Sequence, residues 1–185
     1  MTKFSVRLGI VPKIITVACF IIMSFALIKL TQVLLEGGFN IVYLSVIILL
    51  LISIVSPVFT MPVSIYALDD RLLLKKLLGS KTIFYSDIIV AERFYTKSDI
   101  RIFGSGGYWG FFGIFSNPRI GRYTAFVGDY KEAVLIQVAI AGGYKSYVVS
   151  CRNYDEFIML VNNNRDIRTI LSATTATANN YQNEN

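Results

Sequence analysis

From Phe39 to Leu68 the chain carries no charged residue. Within it, Ile41 to Val55 is Ile, Val, Leu and Tyr, broken only by Ser45 and Ser53. At 1.5 Å rise per residue, about 20 such positions cross a hydrocarbon core of roughly 30 Å. Pro57 and Pro62 follow, where a missing N–H and a fixed φ make a helix hard to continue. An earlier apolar run, Ile14 to Ile28, is interrupted by Lys29 and resumes from Leu30 to Leu35. A lysine off-centre in a span can snorkel its ammonium to the interface. Glu36-Gly37-Gly38 supplies a tight reversal, because glycine accepts φ > 0. The pattern predicts a two-helix transmembrane hairpin within residues 1–62, with spans at about 14–35 and 39–61. A cleaved secretory signal would share the basic start, but no small-x-small site closes the first run.

Beyond residue 62 the continuous apolar pattern gives way to short, punctuated runs. Val63 to Leu68 alternates loosely and stops at the turn pair Asp69-Asp70. The periodicity of Arg71 to Leu78 suits helix or strand, and its flanks, Asp69-Asp70 and Gly79-Ser80-Lys81, favour a hairpin strand. Thr82 to Tyr85, Ile88 to Tyr95 and Arg101 to Phe103 add further β-prone runs. Gly121 to Val127, Ala133 to Ile140 and Tyr144 to Ser150 complete the set, turned by Gly128-Asp129 and Gly142-Gly143. Seven or so strands at about 8–12-residue spacing predict an antiparallel barrel or sandwich. Tyr154, Phe157, Ile158 and Val161 then share one helical face, with Asn153 and Glu156 in capping-box spacing. The Asn162-Asn163-Asn164 run is expected to fray that helix, with Ile167, Ile170 and Leu171 available to extend it. Ser172 to Asn185 has almost no apolar bulk and reads as a disordered tail. The soluble part is thus one α+β unit at residues 63–171.

Span, short strands and one closing helix together resemble the membrane-anchored bacterial PH-like domains over about Val63 to Val161. The resemblance is carried by Tyr66 to Lys75, Gly79-Ser80-Lys81, Ser86-Asp87-Ile88 and Arg101 to Gly107. It continues through Gly121-Arg122-Tyr123, Tyr147 to Ser150 and Asp155-Glu156-Phe157. It implies a two-sheet, partly open PH-like barrel capped at one end by the helix. It carries no catalytic signature, and a shared fold does not bring phosphoinositide binding with it.

Composition narrows the chemistry. The absence of histidine removes Ser-His-Asp and Cys-His catalysis and His-ligated zinc. Cys19 and Cys151 sit in different settings, one in a span and one at a strand end, and read as two free thiols. The net charge of +6 has a juxtamembrane cause. Lys3, Arg7 and Lys13 precede the first span, and Arg71, Lys75, Lys76 and Lys81 follow the second. The positive-inside rule then puts both termini and the soluble domain in the cytoplasm, on a multi-pass inner-membrane protein. No basic tract with interleaved aromatics suggests nucleic acid. The sequence points to no catalytic residue, metal or cofactor. Asp69-Asp70 and Asp155-Glu156 are explained as turn and helix-start residues.

Gly104 to Gly110 resembles a phosphate loop only superficially. The G-x-G-x-x-G register puts Trp109 at the third glycine, and no Lys-Ser/Thr follows. It is expected to be a turning loop between strands, with Gly107, Gly110 and Gly113 bending it so that its aromatics point one way. Tyr108, Trp109, Phe111 and Phe112 are therefore candidate interaction residues, and packing in the core is the equal alternative for this aromatic run. Arg119 and Arg122, with Lys75, Lys76 and Lys81, are candidates for anionic headgroups, against the plainer reading as solvated charges. The expected function is a non-catalytic, membrane-anchored binding or scaffolding module that engages the bilayer surface or a protein partner. The alternative is an accessory subunit of a membrane enzyme or transporter, which intramembrane Asp, Glu or His would favour and the spans lack.

Overall fold

The computed structural model describes residues 1–37, 40–96 and 98–167. The chain starts with a strand, β1 (Thr2–Ser5), followed by two apolar helices, α1 (Ile10–Glu36) and α2 (Ile41–Thr60). Nine further strands follow: β2 (Pro62–Ala67), β3 (Arg71–Lys76), β4 (Ser80–Phe84), β5 (Ile88–Arg93), β6 (Ile100–Gly107), β7 (Gly110–Asn117), β8 (Gly121–Val127), β9 (Ala133–Ile140) and β10 (Gly143–Ser150). A final helix, α3, covers 154–167. The predicted tail and the Ile170–Leu171 extension lie outside the described residues.

The basic leader, read from sequence as part of the membrane segment, is in fact a strand of the β unit. Phe4 pairs with Ile65 and Thr2 with Ala67, antiparallel. Gly9 N–H donates to the Gly128 carbonyl at 2.9 Å, and Arg152 N–H donates to the Ser5 carbonyl at 3.0 Å. Only Phe4 of β1 is buried, and so short a strand has no alternating pattern to betray it.

The strands form two sheets, one of four strands in the order β1-β2-β3-β4 and one of six in the order β5-β9-β10-β8-β7-β6. No pairing joins the two sheets among the described residues, so the barrel expected from the resemblance is open. Nor is the arrangement wholly antiparallel, because β8 and β10 are parallel, Val148 lying opposite Ala125. The cause is the link Gly128 to Glu132, which carries the chain past one strand position. The β9–β10 hairpin then folds back into that gap. Crossing two strand spacings needs only roughly 10 Å.

Period-2 alternation gives the six-stranded sheet two buried faces. Val134, Ile136, Tyr147 and Val149 face the four-stranded sheet and α3, joining Ile65, Leu72 and Leu74. Ala133, Leu135, Val148, Ala125 and Val127 form a second cluster with Phe94, Phe115 and Tyr123 on the other face. There the Tyr123 hydroxyl lies 3.0 Å from Asp99 Oδ2 and 3.2 Å from the Tyr130 hydroxyl. Asn117 Nδ2 also donates to Asp99. Burial pushes the Tyr130 phenol up to about 12, so that hydroxyl stays protonated at physiological pH.

Helix α3 keeps Phe157 and Val161 fully buried, as its periodicity predicts. It runs through the three asparagines to residue 167 instead of fraying. Asn162 Nδ2 donates to the Ala91 carbonyl at 3.2 Å and Arg165 Nη1 to the Ile89 carbonyl at 2.8 Å. The helix thereby covers acceptors on the β5 edge. The expected capping box is modified: Asn153 is left-handed (φ 62°), and its Nδ2 donates to Glu156 Oε2 at 3.4 Å.

Candidate functional site

The glycine-aromatic stretch is a regular β-hairpin, which corrects the expectation of a loop. β6 and β7 pair from Ile100–Ser116 to Gly107–Gly110, leaving Tyr108 and Trp109 as a two-residue turn. Gly104 lies opposite Gly113, both at positive φ (113° and 119°). A Cβ at Gly104 would sit 2.1 Å from the Phe112 carbonyl oxygen. Glycine is therefore required here by a close backbone approach within the hairpin, whereas in sequence it reads as a strand breaker.

The aromatic residues do not point one way; they alternate with the pleat. Phe111 and Phe115 join the second core cluster, Phe111 lying 4.7 Å from the Tyr130 ring and Phe115 5.7 Å from the Tyr123 ring. Phe112, half-buried, is on the opposite face. Core and surface both claim part of the run.

The turn itself docks on the apolar helices. Trp109 N–H donates to Thr16 Oγ1 at 2.8 Å, while that hydroxyl donates to the Pro12 carbonyl at 2.6 Å within α1. The Tyr108 hydroxyl donates to the Ile54 carbonyl of α2 at 3.2 Å. A Cβ at Gly107 would come within 2.6 Å of Ile15 Cδ1, so the hairpin and α1 are in close contact. Trp109 holds a left-handed φ of 58°, and its indole N–H is buried without an acceptor among the described residues. Tyr108 and Trp109 thus meet the protein's own helices.

A second docking point lies at the β3–β4 turn, where Leu78 N–H donates to the Phe59 carbonyl at the end of α2. Leu77 and Leu78 are exposed there, flanked by Lys75, Lys76 and Lys81. None of these lysines makes an ion pair among the described residues. Lys75 and Lys3 lie over Tyr66, Lys76 over Phe126, and Lys81 with Lys145 over Tyr147. A hydrogen bond with Ser64 is the main reason the Tyr66 phenol is lowered, and the nearby lysines act in the same direction.

Arg119 and Arg122 do not belong with this group. Both are exposed near the β7–β8 turn, at the other end of an eight-residue strand and about 27 Å along it from Trp109. Arg119 N–H is held by Asn117 Oδ1 at 2.8 Å. The six residues singled out from sequence therefore divide between the helix-docked turn, the sheet faces and a distal end. Among the described residues, no three His, Cys, Asp or Glu side chains gather as metal ligands.

A family model described as "Bacterial PH domain" matches residues 64–164, more than half of the chain. The chain belongs to the bacterial PH domain family. No curated protein and no solved structure matches it. The family match begins inside β2, so β1 and both helices lie outside the matched residues.

Replacing Trp109 tests the docking. Trp109→Ala is expected to leave the bacterial PH domain folded, at a cost of about 1–2 kcal/mol for a half-buried side chain. Amide hydrogen exchange should quicken across residues 105–111 and little elsewhere. Unchanged exchange at the turn would mean that the indole does not hold it to α1.

Proposed function

We propose that the chain is a non-catalytic binding or scaffolding module, held on the cytoplasmic face of the inner membrane by a two-helix anchor. The observation that carries this reading is the β1–β2 pair. β1 leads into α1 and β2 leaves α2, so their pairing requires the chain to return to the side from which it departed. α1, at 27 residues, is long and apolar enough to cross a membrane and measures about 40 Å. If it crosses, α2 has to bring the chain back, and its 20 residues reach about 30 Å, one hydrocarbon thickness. A cleaved leader would take β1 with it and strip a strand from the sheet. The docked turns support an arrangement in which Leu77, Leu78, Tyr108 and Trp109 sit at the membrane interface, with Lys75, Lys76 and Lys81 toward anionic headgroups. The positive flanks favour the cytoplasm for that side.

Cys151 cannot report this topology, because it is fully buried and burial pushes its thiol up to about 12. Met159, 69% exposed on α3, is the better site. Met159→Cys in a Cys19→Ala background should react with a membrane-impermeant maleimide only after the inner membrane is breached. Labelling with that membrane sealed would overturn the orientation. Crosslinking in intact membranes should trap a bound protein or lipid. Catalytic turnover by the purified chain, abolished by one polar substitution, would overturn the binding reading.

A further inference from the structure

Beside the docked hairpin, α1, α2 and β6 enclose a groove of about 500 Å³. Its walls include Ile15 and Cys19 of α1, Ser56 of α2, and Phe103 and Phe112 of the hairpin, with Arg101 as the charged group. Arg101 makes no hydrogen bond or ion pair among the described residues. Its guanidinium lies over Gly106, where a Cβ would be only 2.9 Å from Nη1. The apolar surface continues along the outer strand: Ile100 is 69% and Phe103 74% exposed, beside the uncovered edge of the six-stranded sheet.

We propose that this groove holds one phospholipid, its phosphate on Arg101 and an acyl chain along Ile15, Cys19, Phe103 and Phe112. The proposal rests on the membrane-anchor reading, since two of the walls are the anchor helices. Three features select this occupant. Thr16, which binds the turn, lies in the first two turns of α1, so the groove opens near the membrane boundary and is continuous with lipid. An unpaired guanidinium offers the forked donor geometry that suits a phosphate. A second β-strand is a poor alternative, because the register shift between Arg101 and Phe103 breaks the edge that such a strand would extend.

The test uses the full chain, purified in detergent and stripped of lipid, with retained lipid counted by native mass spectrometry. Phosphatidylglycerol should be retained at one molecule per chain. Diacylglycerol, which keeps the tails without the phosphate, should be lost, and inorganic phosphate should not displace the phospholipid. Arg101→Gln should weaken retention roughly tenfold or more, as expected for losing charge-assisted hydrogen bonds. Distal Arg119→Gln should leave it unchanged. Undiminished retention by Arg101→Gln, or equal retention of diacylglycerol, would overturn the lipid site, and displacement by phosphate alone would reassign it to the free anion. Alkaline extraction of membranes separates the two proposals. Release of the chain removes the anchor and the groove's lipid together, whereas an integral chain that retains no phospholipid, or retains it equally after Arg101→Gln, removes only the groove's lipid.

Discussion

Phe157→Ala is expected to destabilise the chain by about 3–5 kcal/mol, the usual cost of deleting a fully buried aromatic side chain. Phe157 has no solvent exposure, and its ring meets Phe4 edge-on at 5.1 Å between centroids. The contact joins α3 to β1, the first strand, which lies on the far side of both apolar helices in sequence. Removing the ring therefore opens a cavity where α3 meets the four-stranded sheet and loosens the strand that brackets the helices. Phe4→Ala should be costly too, and the double variant should cost less than the sum. An edge-to-face pair contributes about 0.5–1.5 kcal/mol beyond its buried area. Denaturant titration of the full chain in micelles, followed by near-ultraviolet circular dichroism, measures all three. A change within about half a kcal/mol for Phe157→Ala, typical of a surface site, would mean that α3 is not part of the core.

The second large effect is expected at Gly104. Alanine there would place its Cβ 2.1 Å from the Phe112 carbonyl oxygen, at a φ of 113° that side chains rarely adopt. The obstruction is main chain in a paired strand, so no side-chain rotation relieves it. Gly104→Ala should cost more than about 4 kcal/mol in hairpin stability, beyond the range of ordinary substitutions. The outcome should be separation of β6 from β7, read as rapid amide exchange throughout residues 100–117. Gly121→Ala is the control: its φ is also positive (69°), but nothing lies within 4 Å of the added methyl. It should cost only about 1–2 kcal/mol, from the left-handed backbone alone. Similar effects at the two positions would show that the β6–β7 approach is looser than the geometry requires.

Local patterning made much of the architecture legible. The runs at Ala133–Ile140 and Gly121–Val127 became strands, because alternation and bounding turns act within a few residues. The Tyr154–Val161 periodicity became a helix with Phe157 and Val161 inward for the same reason. The two apolar runs became helices, since a helix satisfies its interior backbone hydrogen bonds within its own segment. The bacterial PH assignment followed from this order of turns and strands, and the family match bears it out.

What the sequence withheld depends on partners remote along the chain. β1 is four residues long and is a strand only because β2, some sixty positions later, supplies its hydrogen bonds. The Gly104–Gly113 stretch looked like a loop because glycine's local preference weakens strands. Pairing and close backbone approach override that preference. The parallel β8–β10 contact was equally hidden, because alternation states which face a residue takes and says nothing about which strand lies beside it. The candidate site was divided on the same principle. In sequence, Trp109, Phe111 and Arg119 are all candidate interaction residues. The pleat sent Phe111 inward, strand length put Arg119 at the far end, and a threonine hydroxyl ninety-three residues earlier claimed the Trp109 amide. Sequence by itself determined the elements and the buried face of most of them, since those follow from local periodicity. Tertiary structure alone decided the pairing, the open barrel and the groove at Arg101, since each is set by distances between segments that sequence order does not encode.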